Sequence, residues 1–416
     1  MTQGFFRGRG GELYCEGVPL SRVAAAVGTP TYVYSRAALR ENYRRLARAF
    51  QRVPHLLCYS VKANSNLAVL RELRRLGAGF DIVSGGELDR LLRAGVAPRK
   101  VVFSGVGKTR EEIDFALRHD ILLFNVESDA ELELLSARAR RLRRRARVLV
   151  RVNPDVDPHT HPHISTGRHA HKFGVAWREA VALCLRAATR PELKFLGLGC
   201  HIGSQITRLE PFQKALARLG SLAGRLEEKG LRVRYLDFGG GLGIRYQNEK
   251  VVPLADYAAS VKRVVRRLGC RLLLEPGRVI VGPAGVLLTR VLLEKDTPQR
   301  RFVVVDAGMS DFLRPALYGA AHRIEPVEKR VERRASSTCD VVGPICETAD
   351  ALGRNLRLPR LESGALLAVR DVGAYGFVLS SNYNARRRPA EVLVRGQRFE
   401  VVRRRERWRD LVRGEM

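Results

Sequence analysis

"HLLCYSVKANSN", residues 55–66, sets one lysine in the middle of a strand-like apolar run. The run has the length of a strand, and a strand facing a core rarely carries an ammonium group, because removing it from water is costly. Lys62 is therefore either held in a structural ion pair or placed where a strand opens onto a pocket. The next residues, "NLAVLRELRRLG" (66–77), switch to apolar spacing of helical period, so strand is followed by helix.

That unit recurs along the chain. Strand-like runs lie at 79–83 ("GFDIV"), 100–105 ("KVVFSG"), 121–126 ("ILLFNV") and 147–153 ("RVLVRVN"), then at 194–202 ("KFLGLGCHI"), 233–240 ("VRYLDFGG") and 270–277 ("CRLLLEPG"). Helical patterns such as "ELDRLLRAG" (87–95) and "REAVALCLRAA" (178–188) fill the intervals. Eight strand–helix units within about 250 residues are the count of a (β/α)8 barrel. A doubly wound sheet also alternates, but the chain has no dinucleotide fingerprint after a strand. Beyond residue 280 the texture changes to strand-like pieces separated by turns, among them "GVLLTRVLLEKD", "RFVVVDAG" and "AEVLVRGQRFEVV". The reading is an α/β barrel over 28–279 and an all-β domain of Greek-key or barrel type over 280–416, joined by the N-terminal segment 1–27 with its strand-like "GELYCEGVPL".

Composition narrows the function classes. The 416 residues are 45% hydrophobic and 28% charged, ordinary globular values. No apolar stretch reaches 18 residues, and the N-terminal residues lack a secretory h-region, so a cytoplasmic protein without a membrane span is expected. The seven cysteines are scattered and odd in number, which argues against a disulfide framework. Lys and Arg (74) exceed Asp and Glu (43), for a net charge of +31. The excess is spread along the chain with only short arginine clusters and no nucleic-acid motif. A solvated arginine-rich surface is expected rather than a nucleic-acid partner.

The chemistry-bearing residues fall where barrel strands end, which is where such barrels carry their active sites. Lys62 closes the first strand, Asp81 and Ser84 the second, His201 and Ser204 the sixth. Gly239, Gly240 and Gly241 follow the seventh, and Glu275, Pro276, Gly277 and Arg278 the eighth. A partly desolvated lysine can serve as the amine of a Schiff base. The glycine run allows close approach of main-chain N–H groups to a phosphate. Lysine plus phosphate cradle points to pyridoxal 5'-phosphate, with Glu275 as the acidic partner of its ring nitrogen.

With these residues assembled, the chain resembles the barrel-type pyridoxal-phosphate decarboxylases, and among them the diaminopimelate decarboxylases. The likeness runs from "GTPTYVYS" (28–35) to "GAYGFVLSSNYN" (373–384) and includes "YSVKAN", "HIGSQI", "DFGGGLGI" and "EPGR". "THPHISTG", "RPALYGA" and "GPICETAD" point to the diaminopimelate branch rather than to ornithine or arginine decarboxylases. The resemblance implies decarboxylation of meso-2,6-diaminopimelate to L-lysine. It makes Lys62 the cofactor lysine and lays His201 on the cofactor ring, with Asp81, Ser204, Gly239–Gly241 and Glu275–Arg278 around it. Arg278, Arg314 and Tyr318 would grip the distal carboxylate, Glu347 the distal ammonium, and Tyr375 would touch both substrate and cofactor. Cys346 would be the proton donor, and it and Glu347 would enter the partner subunit's site in a homodimer. His163 stands where the family pattern usually has tyrosine.

Three competing readings are distinguishable. A decarboxylase of ornithine or arginine would want an acid, not Arg314, at the far end of its substrate. A racemase needs two opposed acid–base groups, and only one donor besides Lys62 stands out. A basic binding protein on a barrel scaffold would bind no cofactor. Two decoys also occur. "SGVGKT" (104–109) lacks the first glycine of a P-loop, since position 102 is Val102, and His159, His161, His163, His169 and His171 match no metal-ligand spacing, so no metal is expected.

Overall fold

The structure is a computed structural model, and it describes residues 4–8, 10–157, 172–328 and 335–416. His163 and the other histidines of its loop lie outside the described residues. The chain forms two compact units, one of Tyr43–Ile244 with Lys250–Gly277, the other of Met1–Asn42, Arg245–Glu249 and Arg278–Met416.

In the first unit, eight parallel strands close into a barrel: His55–Ser60, Gly79–Ile82, Val101–Phe103, Leu123–Val126, Ala146–Arg151, Leu193–Gly199, Tyr235–Asp237 and Arg271–Leu274. The last strand pairs with the first in the register Leu272 to His55, Leu273 to Leu56 and Leu274 to Leu57. These strands are buried on both faces, which is why they read as apolar runs without alternation. Cys58, Val102, Leu123, Leu149, Leu196 and Leu273 pack together as one apolar cluster of this unit.

The helices between strands begin where the sequence supplies caps. Asn66 accepts from the Ala68 N–H at 2.9 Å, and Thr109 with Glu112 forms a reciprocal capping box. Ser84 does the same for the helix Gly85–Arg93, accepting from the Glu87 N–H at 3.2 Å. Its place after the second strand is thus accounted for by capping. Lys108 of the P-loop-like segment is buried and donates to Glu131 Oε1 at 2.6 Å and to the carbonyls of Gly105 and Asn125, so it is a core ion pair.

The second unit carries a branched nine-stranded sheet and a small three-stranded one. Its spine is the strand Gly285–Asp296, whose first half pairs with Thr31–Ser35 and Leu366–Val369 and whose second half pairs with Arg301–Val305. The strand Thr31–Ser35 also runs parallel to Ala390–Arg395. The segment 28–42, read from the sequence as the start of the barrel, therefore belongs with the β unit. Its pattern of five consecutive buried residues is that of a strand covered on both faces. Val33, Val286, Leu288, Ala368, Val392 and Val394 join Phe5, Leu13 and Leu20 in the core of this unit.

Candidate active site

Lys62 stands not on the first barrel strand, which ends at Ser60, but on the single 3-10 turn Val61–Ala63 that follows it. Its Nζ donates to Asp81 Oδ2 at 2.6 Å, with the ammonium side chain 37% exposed and the carboxylate side chain wholly buried. Ser60 Oγ lies 3.0 Å from the same carboxylate oxygen and 3.0 Å from the Glu275 carbonyl. The second carboxylate oxygen of Asp81 is buried with no hydrogen-bond partner among the described residues.

The turn after the eighth strand packs directly on the lysine turn. The Ser60 N–H donates to the Pro276 carbonyl at 3.1 Å, and a Cβ on Gly277 would come within 2.9 Å of the Ala63 side chain. The glycine run abuts Glu275 from the other side: a Cβ on Gly240 would sit 2.3 Å from the Glu275 carbonyl. Gly239 and Gly241 have φ of +64° and +99°, a backbone region costly for other residues. Gly241 also packs on the loop that holds Ser204, where the Ile206 N–H donates to its carbonyl at 2.9 Å. Lys62, Glu275, Pro276, Gly277, the glycine run, His201 and Ser204 are thus brought to one rim of the barrel.

The glycine run is less open than its sequence implies. The Gly239 N–H donates to Asp237 Oδ1 at 3.0 Å and the Gly240 N–H to His201 Nδ1 at 3.2 Å. Only the Gly241 N–H is left without an acceptor among the described residues. Because His201 Nδ1 accepts, its proton sits on Nε2. Burial, with Arg151 and Lys62 nearby, holds the ring well below its ordinary pKa, so it is neutral.

Three residues of this network escaped the sequence reading. Asn125 Nδ2 donates to Ser104 Oγ and to Asp237 Oδ2, each at 3.0 Å, and Ser104 Oγ lies 3.1 Å from Glu275 Oε1. Asp237 ends its strand, Ser104 directly follows one, and Asn125 is the last residue but one of another, so a polar residue closing or near the close of an apolar run was the available signal. Burial and the neighbouring Asp237 and Asp81 push the Glu275 carboxyl well above the usual carboxylate range, and burial raises Asp237 as well. Glu275 is the partner that keeps a proton.

In the β unit, Arg278, Arg314 and Tyr375 are brought together around a residue the sequence reading did not use, Tyr246. Arg278 Nη1 and Arg314 Nη1 donate to its hydroxyl oxygen at 2.6 and 2.8 Å. The Arg278 guanidinium also lies 4.9 Å from the Tyr375 ring centre. Arg314 opens the five-residue helix that Tyr318 closes. Arg314 has no carboxylate partner among the described residues, and burial lowers its pKa. Cys346 and Glu347 are exposed and lie on a bend. The Cys346 N–H donates to Asn384 Oδ1 at 3.2 Å, and the Tyr383 hydroxyl donates to Glu347 Oε1 at 2.5 Å. Cys346 is exposed, whereas the other six cysteines are buried.

Residues 36–282 match the family described as pyridoxal-dependent decarboxylase, pyridoxal-binding domain. Across 99% of this chain and 98% of the relative, the sequence is 53% identical to a diaminopimelate decarboxylase of Pseudomonas aeruginosa. The chain belongs to the diaminopimelate decarboxylases. Solved members of that family superpose closely. The Helicobacter pylori diaminopimelate decarboxylase complexed with L-lysine gives a TM-score of 0.91 at 41% identity, over 95% of this chain and 98% of that one. The M. jannaschii diaminopimelate decarboxylase in complex with L-lysine gives 0.95 at 36% identity, over 100% and 98%. As a member of the diaminopimelate decarboxylases the chain is an enzyme, a carboxy-lyase.

Proposed function

We propose that the chain decarboxylates meso-2,6-diaminopimelate to L-lysine and carbon dioxide, with pyridoxal 5'-phosphate held through Lys62. The observation that carries the substrate is the burial of Arg278 and Arg314 on one phenol oxygen, at 2.6 and 2.8 Å. Two buried guanidinium groups this close repel, and an anion between them relieves the repulsion. A carboxylate fits, since each planar fork can meet it with paired hydrogen bonds. A substrate ending in an amine would meet only donors there. Tyr318 and Tyr375 complete the grip.

The barrel rim suits the cofactor. Lys62 Nζ is the amine for its aldehyde carbon, and the Gly241 N–H with the Ser204 loop is available to its phosphate. When bound, pyridoxal phosphate supplies an electron sink for the pair released as carbon dioxide departs. The chain's own groups do the rest. Glu275 brings its proton to the ring nitrogen, steadied by Asp237, Asn125 and Ser104. His201 offers a neutral face and adds no charge beside Lys62. Asp81 holds the lysine ammonium whenever Nζ is not engaged.

Cys346 Sγ gives a proton to the carbon that has lost carbon dioxide, and Glu347 takes the distal ammonium. Both act in the partner subunit's site, which makes the working unit a homodimer. The exposure of Cys346 supports this reading. The deciding experiment is carbon dioxide release by the purified holoenzyme from meso-diaminopimelate, L-ornithine, L-arginine and L-lysine. Diaminopimelate should exceed the others by at least about 100-fold in kcat/KM, since amine-ended substrates leave the arginines unpaired. Efficient turnover of ornithine would overturn the assignment.

A further inference from the structure

Tyr246 lies on the short segment Arg245–Glu249, which belongs to the β unit although barrel residues flank it in sequence. Glu249 fixes that segment by accepting from the main-chain N–H groups of Tyr246 and Gln247 at 3.0 and 2.8 Å. The Tyr246 ring is buried against His322, with ring centres 4.6 Å apart. His322 Nδ1 faces the Arg370 carbonyl at 2.8 Å and must carry its proton there, because a carbonyl only accepts. Burial and Arg314 hold His322 down at about 3, so it contributes no third positive charge.

The hydroxyl of Tyr246 is in an unusual position. Both guanidinium groups donate to its oxygen, and neither can accept anything in return. Its own proton therefore points to neither arginine, and among the described residues it has no acceptor. The Arg314 Nε–H is likewise buried without a partner. The spare donors of Tyr246 and Arg314 are complementary to one kind of group, an anion with several lone pairs.

We propose that Tyr246 determines specificity for a distal carboxylate. Its oxygen holds Arg278 and Arg314 at a fixed separation, and its proton is donated to the same carboxylate that the arginines take. Because both arginines already occupy the oxygen, the hydroxyl has nothing to offer an ammonium group. The residue thus favours the carboxylate and rejects the amine by one arrangement. This inference rests on the proposed carboxylate grip of Arg278 and Arg314.

The test compares two inhibitors of the holoenzyme, L-lysine, which carries a carboxylate at the proposed position, and cadaverine, which lacks it. Tyr246→Phe keeps the ring against His322 and removes only the hydroxyl. Inhibition by L-lysine should weaken roughly 10- to 100-fold, the loss expected for one hydrogen bond to a charged group. Inhibition by cadaverine should stay as it was, and KM for meso-diaminopimelate should rise more than kcat falls. Equal weakening of both inhibitors would mean general loosening and would overturn the proposal. If Tyr246→Phe binds L-lysine normally while Arg314→Ala does not, Tyr246 has no such role although the grip is real. If Arg314→Ala also binds L-lysine normally, the grip itself is wrong and the inference falls with it.

Discussion

Lys62 and Lys108 each donate to a carboxylate at 2.6 Å, Lys62 to Asp81 and Lys108 to Glu131, yet their side chains are 37% and 1% exposed. On the function proposed above, the difference separates a working amine from a structural one. Lys108 is sealed by a carboxylate and two carbonyls and has no route out. Lys62 stands on a turn past its strand, with its side chain partly open to solvent. Asp81 stays buried, and one of its oxygens has no hydrogen-bond partner among the described residues.

Gly240→Ala should damage the proposed cofactor site without touching any charged group. The added Cβ would meet the Glu275 carbonyl at 2.3 Å, which main chain cannot easily yield. Overpacking of this kind costs about 1–3 kcal/mol. Urea unfolding should show that loss, and the purified variant should retain far less pyridoxal phosphate than the parent.

Glu87, on the helix after the second strand, gives the cofactor-free protein a specific pH response. Burial pushes its carboxyl up to about 7, against an ordinary value of 4.5. The folded state therefore holds this proton more tightly than the unfolded chain. Between those values the folded chain binds more protons, so stability falls as pH rises from 4.5 to 7. Glu87→Gln should flatten that part of the profile, measured as the urea midpoint at about pH 5 and about pH 8. A parent and variant with parallel profiles would reject the assignment.

The barrel was legible because parallel strands buried on both faces leave continuous apolar runs, and because Asn66, Ser84 and Thr109 announce the helices between them. The boundary at 28 was not. "TYVYS" (31–35) reads like any buried strand, and its partners, Gly285–Asp296 and Ala390–Arg395, are more than 250 residues away in the chain. Lys62, Glu275 and the glycine run were visible as polar or special residues at strand ends. Tyr246 was not, since its role exists only where Arg278 and Arg314 converge from distant segments. The pairing of the Gly239 and Gly240 N–H groups with Asp237 and His201 was not legible either, because those acceptors meet the run only in the fold.

Arg314→Lys should show that geometry, not charge alone, recognises the substrate. The ammonium keeps the positive charge but lacks the planar fork and cannot reproduce both the contact to Tyr246 and a paired approach to a carboxylate. We expect kcat/KM for meso-diaminopimelate to fall roughly 10- to 100-fold, mainly through KM, as for loss of a charge-assisted hydrogen bond. An unaltered KM would contradict the assigned grip.

Subunit mixing tests the placement of Cys346. Lys62→Ala and Cys346→Ala are each expected to be nearly inactive alone. If each site takes Lys62 from one subunit and Cys346 from the other, a mixed dimer has one intact site. Random exchange then restores about a quarter of parental activity, because half the dimers are mixed and half their sites work. No recovery after exchange is verified by mass would place both residues in the same subunit's site.

The central claim is that Lys62 is the amine that takes the cofactor. Borohydride reduction of the holoenzyme, followed by proteolysis and mass spectrometry, locates the attached pyridoxyl phosphate directly. The expected result is a single modified peptide bearing the group on Lys62, absent from Lys62→Ala. Modification of another lysine with Lys62 untouched, or no stable attachment in a cofactor-loaded and active enzyme, would contradict the account.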